Sequence, residues 1–373
     1  MNIVRSSLRK CLARRLRSSV LKLSAAVAVV IVIYMCVSTT SLGVHFFDSV
    51  TGERQAAVGA SSEQNVSTIT LDSKSYVHNT TSPKNNNTTH SSQQETTTFN
   101  NNDTEPLYLT TIFQSRLGNH MFIYASLLGL ARAQNRIPFI HSGTHLDHVF
   151  QITHVQDNIS AKGFRVMHHS TFGIVYPSLW NLPRENITLH GPREAFRYFE
   201  NIEDEVRREF TFCAPLQKQI NETLGKVRAE FQGHVIVGVH ARRGDFLEDG
   251  NKKIGFGVPK VSYFINAFHR MRSMLNGRKV TFLTASDDLE WCHENLNVTD
   301  VKILEPGSAE LHFGVLANCD HVILSSGTYG WWAAWLADGI SIYYDGFFVN
   351  GSRLRSEVSI PDYYPTEWIA VGD

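Results

Sequence analysis

The sequence predicts an α/β fold with parallel β-sheets, and three observations lead to this prediction. Short apolar segments with strand character alternate with longer segments in which apolar residues recur at helical spacing. The alternation begins at Leu107 and resumes in the second half of the chain. Polar or glycine-containing motifs follow several strand segments directly, as they do at the ligand edge of parallel sheets. We therefore expect one or two Rossmann-like halves, with the functional site in the cleft between them.

The first β-α-β unit begins at Leu107. There LYLTTIF indicates a strand, QSRLGNH a turn, MFIYASLLGLARAQ a helix and IPFIH the next strand. From residue 234 onward the predicted strands are HVIVGVH, VTFLTAS, HVILSS and ISIYY, and the predicted helices are YFINAFHRMRSML, LHFGVLANC and GTYGWWAAWLA. Both parts of the chain therefore favour parallel strands with helices crossing between them.

Composition divides the chain into four segments. We expect a cytoplasmic tail at 1–22, a transmembrane signal-anchor at 23–44, a flexible glycosylated stem at 45–106 and a folded lumenal domain at 107–373. The tail is basic without acidic side chains, which predicts a cytosolic N-terminus. The stem is too polar to bury a core. A cleaved signal peptide is the alternative interpretation of the apolar segment, whose short span suits a Golgi bilayer better than a plasma membrane.

Asn-x-Ser/Thr glycosylation motifs support a lumenal location. They all lie after the apolar segment, as expected for a chain that enters the secretory pathway. We expect glycosylation at Asn65, Asn79, Asn86, Asn87, Asn102, Asn158, Asn186, Asn221, Asn297 and Asn350.

Several classes of site or partner are disfavoured by composition. The formal net charge of +0 gives no basic field that would attract nucleic acid. No C-x-x-C pair or His/Cys cluster indicates structural zinc, and no D-x-D triplet offers ligands for Mg²⁺ or Mn²⁺. Cys213, Cys292 and Cys319 allow one disulfide and one free thiol, and all pairings stay open.

The segment VGVHARRGDFL (237–247) places two arginines directly after a predicted strand. A guanidinium offers a planar fork of N–H donors that matches phosphate oxygens, so Arg242 and Arg243 are candidates for binding a diphosphate. One alternative is a surface salt-bridge cluster with Asp245. Another is a cell-adhesion function of the tripeptide Arg243-Gly244-Asp245, which requires a mobile, exposed loop tip.

Two further motifs combine a strand end, a turn and a helix start. In SRLGNHMFIYAS, Asn119 could hydrogen-bond a sugar or a phosphate at a helix N-terminus, or simply cap that helix. In SSGTYGWW, Ser326, Gly327 and Thr328 could supply hydroxyls and amides to a phosphate. The aromatic residues that follow could stack on a ligand, but their helical spacing is more typical of a core. These residues are Tyr329, Trp331, Trp332 and Trp335.

A fourth motif, TASDDLEWC, contains two adjacent carboxylates after a predicted strand. Asp287 or Asp288 could accept hydrogen bonds from the N1–H and N2 donors of a guanine. The alternative interpretation is that an aspartate caps the following helix. The sequence does not decide between them.

Taken together, VGVHARRGDFL, RLGNHMFIYASLLGLA, FRYFENIEDEVRREFTF and SSGTYGWWAAWLADG resemble the galactoside α-1,2-L-fucosyltransferases, a Golgi family that uses GDP-fucose. The resemblance covers roughly residues 107–373. The H-x-R-R-x-D element is shared with α-1,6- and protein O-fucosyltransferases, and GTYGWWAAWLADG narrows the resemblance to the α-1,2 family. The chain departs from the usual family pattern at Ser115, His120 and Ala241.

The resemblance implies a GT-B-like fold in which Rossmann-type parallel sheets face an inter-lobe cleft, after a transmembrane helix and a disordered stem. It implies inverting transfer of fucose from GDP-fucose to a β-galactoside-terminated glycan at the Golgi membrane, by a single-pass type II protein. The alternatives are another Golgi fucosyltransferase of the α-1,6 or protein O-fucosyl type, and a catalytically silent membrane-anchored glycan-binding protein.

The roles implied for individual residues centre on the donor. Arg242 and Arg243 would contact the pyrophosphate, with His240 and Asp245 shaping that loop and Asn119 beside the donor. Arg242 and Asp245 are the expected catalytic residues, and the arginines would take over the charge-stabilising task of a metal, so no metal cofactor is expected. Asp245 and Glu194 are alternative proton acceptors, and a dissociative route needs neither. Asp287, Ser326, Gly327 and Thr328 are donor-binding candidates from their motifs alone, as described above.

Overall fold

The computed structural model describes residues 105–170 and 172–373. The predicted tail, the signal-anchor and almost all of the predicted stem, with its five glycosylation motifs from Asn65 to Asn102, lie outside the described residues. Within the described ranges, no helix has both the length and the apolar character needed to cross a membrane.

The described strands form two parallel sheets. The first sheet has four strands in the order β2-β1-β4-β3, and the second has six in the order β10-β9-β8-β5-β6-β7. Every pairing between these strands is parallel. The strands are β1 (Tyr108–Thr111), β2 (Ile137–Pro138), β3 (Arg165–His168), β4 (Ile187–His190), β5 (Val235–Ala241), β6 (Val280–Ser286), β7 (Val301–Ile303), β8 (His321–Leu324), β9 (Ser341–Tyr344) and β10 (Ile369–Val371).

Helices connect most of the strands, as parallel pairing requires. The α-helices are α1 (Leu117–Ala133), α2 (His145–Val149), α3 (Glu203–Glu209), α4 (Ala214–Glu230), α5 (Asp249–Ile254), α6 (Val261–Met274), α7 (Leu289–Asn295), α8 (Ala309–Ala317), α9 (Thr328–Ala337), α10 (Arg353–Ser356) and α11 (Ile360–Tyr363).

The predicted α/β architecture with Rossmann-type parallel sheets is confirmed in the described residues. Each strand or helix segment singled out in the sequence is found, with shifts of a few residues at its ends. Four short strands were not predicted, namely β3, β4, β7 and β10. Three of these, β3, β7 and β10, are edge strands with at least partly exposed side chains, so they lack the apolar runs on which the prediction depends.

An aromatic cluster packs α1, which follows β1 of the first sheet, against α9, which follows β8 of the second sheet. The ring of Phe122 on α1 lies 4.5 Å from that of Trp331 and 5.0 Å from that of Trp332, both on α9. Phe199 stacks on Trp332 at 5.3 Å. Both indoles are fully buried, so the core interpretation of the tryptophans is confirmed and a ligand-stacking role is wrong for them. Trp335 is buried in the same cluster.

The three cysteines within the described ranges are free, so the disulfide that the sequence allowed is not formed. Cys292 and Cys319 are buried, and Cys213 is partly exposed. Burial raises the pKa of the Cys319 thiol to about 12. These two buried thiols are therefore packing residues of the core.

Gly129 of α1 offers a test of how tightly this helix is packed. A Cβ at this position would lie 1.8 Å from the Tyr198 carbonyl oxygen, and backbone cannot yield to it. We expect Gly129→Ala to lower the free energy of unfolding by about 3 kcal/mol. Gly225→Ala is the matched control, because this glycine lies in α4 with no heavy atom within 4 Å of the new methyl. The control should gain roughly 0.5–1 kcal/mol from helix propensity. Equal unfolding midpoints in denaturant titration would contradict this packing.

Candidate active site

Four loops at the carboxyl ends of strands contact one another, and we refer to the region where they meet as the cleft. The loop after β1 leads into α1, and the loop after β8 leads into α9. The loops after β5 and β6 carry the arginine motif and the aspartate pair. Because β8, β5 and β6 are neighbours in one parallel sheet, their carboxyl ends share an edge. The cleft therefore has the position that ligand sites usually have in such folds.

Arg242 is the best-anchored side chain in the cleft. Its Nη1 donates to Asp287 Oδ2 at 2.5 Å, its Nη2 donates to Asp245 Oδ1, and its backbone N–H donates to Ser325 Oγ at 2.7 Å. An arginine side chain has five N–H donors. Within the described residues two of these bonds are made, and the side chain is 19% exposed. The guanidinium is therefore fixed in orientation and still has donors to offer to a ligand.

Gly244 makes this arrangement possible. A Cβ at this position would lie 2.2 Å from Asp287 Oδ2. Any other residue would therefore push the carboxylate away from the Arg242 guanidinium. The glycine in HARRGD is thus required for close packing of the loop after β6 against the loop after β5.

Asp245 forms ion pairs with arginines from loops of both sheets. Besides Arg242, it pairs with Arg116 at 3.3 Å between Nη2 and Oδ2. Arg116 stands immediately before α1, and its side chain is 74% exposed. Sequence reasoning missed Arg116, since a single arginine before a helix is common on protein surfaces. Its signal was its position inside SRLGNH, one of the motifs already singled out.

Arg243 is committed to internal contacts. Its guanidinium lies 3.8 Å from the ring centroid of Trp291, its Nε donates to Asp288 at 3.2 Å, and its side chain is only 14% exposed. Asp288 also caps α7 through Trp291 N at 3.2 Å. For Asp288 the cap interpretation is confirmed. Asp287 instead bonds Arg242 and the Arg243 backbone N–H, so in this structure it organises the arginines.

These contacts argue against the adhesion interpretation. Adhesion requires the arginine and aspartate of the tripeptide to be displayed on a mobile tip. Here Arg243 stacks on Trp291, and Asp245 is paired with Arg242 and Arg116. The charged side chains at both ends of the tripeptide are therefore engaged in contacts within the protein.

His240 lies beneath the arginine loop. It is the penultimate residue of β5 and is 6% exposed. Its ring lies 5.0 Å from that of Tyr329 with the two planes tilted by 32°, and a Cβ on Gly330 would lie 2.4 Å from its Nδ1. Burial, with a smaller contribution from the charge of Arg242, lowers the pKa of His240 to about 3. A neutral imidazole in this position supports the loop by packing.

Two helix N-termini meet in the cleft. Asn119 Oδ1 of α1 accepts a hydrogen bond from Thr328 Oγ1 of α9 at 3.2 Å. Gly118 is essential to this approach, because a Cβ there would lie 2.6 Å from Thr328 Oγ1. In the part of the chain that the structure describes, neither helix has a side-chain cap on its first turn. Their free backbone N–H groups and dipoles favour an anion at this junction.

The remaining predicted residues divide between the junction and the core. Gly327, with a φ of +93°, precedes α9 in a backbone conformation that favours glycine. Ser326 is buried, and its hydroxyl donates to the Gly257 carbonyl at 2.6 Å. The Ser326 side chain is therefore turned away from any ligand. Glu194 is buried beside Asn119 and accepts a hydrogen bond from its Nδ2. Among the described side chains, no group of three or more His, Cys, Asp or Glu residues could hold a metal ion.

Two parallel sheets whose loops bring an arginine and two helix N-termini into one cleft are typical of α/β enzymes that bind an anionic ligand. Residues 81–371 match the family described as Glycosyl transferase family 11, and the chain belongs to this family. It is a glycosyltransferase. The resemblance inferred from the motifs is therefore confirmed.

Curated relatives have consistent names. Galactoside 2-alpha-L-fucosyltransferase SEC1 of Bos taurus is 27% identical over 267 residues, which cover 69% of this chain and 72% of the relative. Galactoside alpha-(1,2)-fucosyltransferase 1 of Homo sapiens is 28% identical over 272 residues, covering 69% and 73%. Among solved structures, the alpha-1,6-fucosyltransferase NodZ soaked with GDP-fucose aligns with a TM-score of 0.45 at 16% identity, over 65% of this chain and 96% of that chain.

The neutral state of buried His240 predicts a specific loss of stability in acid. The unfolded chain binds a proton at the ordinary imidazole pKa of 6.5, whereas the folded His240 pKa is about 3. Between these values the unfolded state binds more protons, so stability falls as the pH falls. From pH 7 to pH 5 the wild type should lose roughly 2 kcal/mol more than His240→Gln. Urea titration at both pH values measures this difference.

The matched control for this prediction is His269→Gln. His269 is exposed on α6, and its replacement should leave the loss between pH 7 and pH 5 as large as in the wild type. If His240→Gln also behaved like the wild type, a neutral buried His240 would be disproved.

Proposed function

We propose that this chain transfers L-fucose from GDP-fucose to the 2-OH of a terminal galactose in α-1,2 linkage, with inversion. Family membership, the names of the curated relatives and the four motifs support the fucosyl donor and the galactose acceptor. The observation that carries the proposal is the junction of the α1 and α9 N-termini beside Arg242. The Arg242 guanidinium lies 5.2 Å from the Phe246 ring centroid, and a Cβ on Gly327, just before α9, would lie 3.5 Å from that ring. This junction has the chemistry required by a diphosphate.

The donor diphosphate is proposed to lie at this junction. Backbone N–H groups from the first turns of α1 and α9 would bind its oxygens, and the unused N–H donors of Arg242 would bind them from the side. Asp245 and Asp287 hold the guanidinium in place before the donor arrives. Arg116 adds positive charge at the mouth of the cleft. It is exposed and is held by Asp245 at a single contact.

The reaction we propose is a displacement at fucose C1. The bond from C1 to the β-phosphate oxygen breaks, and its electron pair leaves with the diphosphate. The sugar ring takes on oxocarbenium character, as in glycoside chemistry. The 2-oxygen of the acceptor galactose forms the new bond from the opposite face and releases its proton to water. Arg242 and the two helix N-termini act on the charge that develops on the leaving group.

Neither candidate carboxylate is free to act as a strong base in this arrangement. Asp245 is held by the guanidiniums of Arg242 and Arg116. Glu194 is buried against Asn119. We therefore propose a dissociative route in which deprotonation of the acceptor is late, and in which stabilisation of the leaving diphosphate provides most of the acceleration.

The proposal is tested with GDP-fucose and β-galactoside acceptors, with linkage analysis of the product. We expect α-1,2-linked fucose and stoichiometric release of GDP. Arg242→Ala should lower kcat/KM roughly 100- to 1000-fold, because one donor to the developing anion contributes about 3–4 kcal/mol. Arg242→Lys should recover little of this loss, since it keeps the charge but not the planar fork.

Two controls define this experiment. Arg270→Ala removes an exposed arginine on α6 and should leave kcat/KM unchanged. A chelator should also leave the rate within about twofold, because the guanidinium and the helix N-termini carry out the task of a metal. Product linked elsewhere than at the galactose 2-OH, or normal turnover by folded Arg242→Ala, would refute the proposal. Loss of activity with chelator that Mn²⁺ restores would refute its metal-free part.

We also propose that the chain is a single-pass type II protein of the Golgi membrane, with residues 107–373 in the lumen. The basic tail, the apolar segment and the glycosylation motifs support this placement. Asn186 differs from the other four motifs in the described residues, because it is half-buried and its Oδ1 accepts from Tyr108 N at 2.8 Å. The four exposed asparagines are Asn158, Asn221, Asn297 and Asn350.

Glycosylation of the full chain expressed in a eukaryotic cell checks this placement. We expect peptide-N-glycosidase to increase its mobility on a gel. Asn221→Gln should remove one glycan, whereas Asn186→Gln should leave the glycan number unchanged because that side chain is engaged with the backbone. An unmodified chain would exclude the lumenal location.

A further inference from the structure

Glu194 is a buried carboxyl that the proposed reaction does not use. It lies in the loop that follows β4 and is 1% exposed. Its Oε1 accepts a hydrogen bond from Asn119 Nδ2, and its backbone N–H donates to the Phe172 carbonyl at 2.9 Å. Its other oxygen, Oε2, is buried and has no hydrogen-bond partner within the described residues.

The groups around Glu194 do not compensate a negative charge. Arg193 precedes it in sequence, but its guanidinium donates to the Gly191 carbonyl at 2.9 Å and to Thr111 Oγ1 at 2.5 Å. In residues 105–170 and 172–373, no salt bridge involves Glu194. Tyr363 of α11 faces it with a buried phenol whose pKa is raised well above its usual value. Burial raises the pKa of Glu194 to about 8, against a smaller opposing effect of the Asn119 hydrogen bond.

We infer that Glu194 is kept as the neutral acid and is a positioning residue. It orients the Asn119 carboxamide across the junction of α1 and α9 without adding negative charge beneath the anion site. The inference rests on the proposed function, since it concerns the same donor site.

The hydrogen bonds define a relay of three side chains. Glu194 accepts from Asn119 Nδ2, which leaves Asn119 Oδ1 to accept from Thr328 Oγ1. The amide of Asn119 therefore has a defined orientation, and through it the loop after β4 is connected to the first residue of α9. A neutral carboxyl accepts this hydrogen bond as an ionised one does.

Ionisation of Glu194 would weaken the binding of the donor diphosphate and would leave the hydrogen bonds of the relay in place. Asn119 belongs to the first turn of α1, and a carboxylate one hydrogen bond away would offset the positive end of that helix. It would also repel the donor diphosphate in a poorly solvated site. Binding of a diphosphate should therefore require the protonated form of Glu194, so that above pH 8 binding is accompanied by proton uptake.

Calorimetry with GDP as the probe tests this linkage. The full chain is titrated at pH 7 and pH 8.5, each in two buffers of different ionisation enthalpy, for wild type and Glu194→Gln. If only the neutral form binds, wild-type affinity falls about fourfold more than that of Glu194→Gln over this range. At pH 8.5 the difference in binding enthalpy between the two buffers should correspond to uptake of most of a proton by the wild type. The variant should show no such uptake. Any proton that GDP itself gains or loses contributes equally to the measurements on both proteins. This contribution cancels when the wild type is compared with Glu194→Gln.

Steady-state kinetics distinguish a positioning role of Glu194 from a role as general base. As a positioning residue, Glu194→Gln keeps the acceptor for Asn119 and should keep kcat with GDP-fucose within about twofold at pH 7. Glu194→Ala and Asn119→Ala should each raise the donor KM, and their double variant should be no worse than either alone. Loss of more than roughly 100-fold in kcat by Glu194→Gln, with GDP binding intact, would overturn the inference in favour of an ionised base.

Glu209→Gln is the matched buried acid for comparison. Glu209 accepts hydrogen bonds from Tyr124 and Thr153 away from the cleft, so its replacement should lower stability without altering proton uptake. Absence of proton uptake by the wild type at pH 8.5 overturns the inference even if Glu194→Gln does not fold. Absence of GDP binding by the wild type at pH 7 would instead refute the proposed function.

Discussion

The guanidinium of Arg242 lies between the carboxylates of Asp245 and Asp287, and this pairing joins the loops that follow β5 and β6. Hydrogen bonds to charged groups contribute roughly 1.5–3 kcal/mol each when they are partly removed from water. Through Asp245 the same network reaches Arg116 before α1. Arg242 therefore bridges the loops after β5 and β6, and Asp245 extends this network to the start of α1. Loss of Arg242 would leave two partly buried carboxylates facing each other.

The aromatic cluster provides the apolar counterpart of this network. Phe122, Trp331 and Trp332 lie on the same two helices whose first turns form the anion site. Burial of large aromatic side chains contributes far more than any single polar contact in the cleft. The cluster thus fixes the distance and angle between α1 and α9. The hydrogen bond from Thr328 to Asn119 needs only to select the final orientation of the amide.

Sequence reasoning recovered the architecture because the central strands and the helices have strong apolar patterns. It failed at β3 and β7, which are edge strands whose side chains are partly or fully exposed and therefore form no apolar run. In the site, the sequence placed Arg242 and Asn119 where a ligand could meet them. It could not show that the Ser326 hydroxyl turns toward Gly257 or that His240 packs beneath α9. Both outcomes depend on tertiary neighbours. A role for Arg116 in the site becomes evident only from its ion pair with Asp245 in the folded structure.

The contact between Gly244 and Asp287 explains why a familiar string of letters occurs in this chain. A Cβ at position 244 would collide with the Asp287 carboxylate, and the residues on either side are paired with charged partners of the same network. The spelling Arg-Gly-Asp is thus a by-product of how two loops fit together. A text search for cell-binding peptides would retrieve this protein for a reason unrelated to cell surfaces.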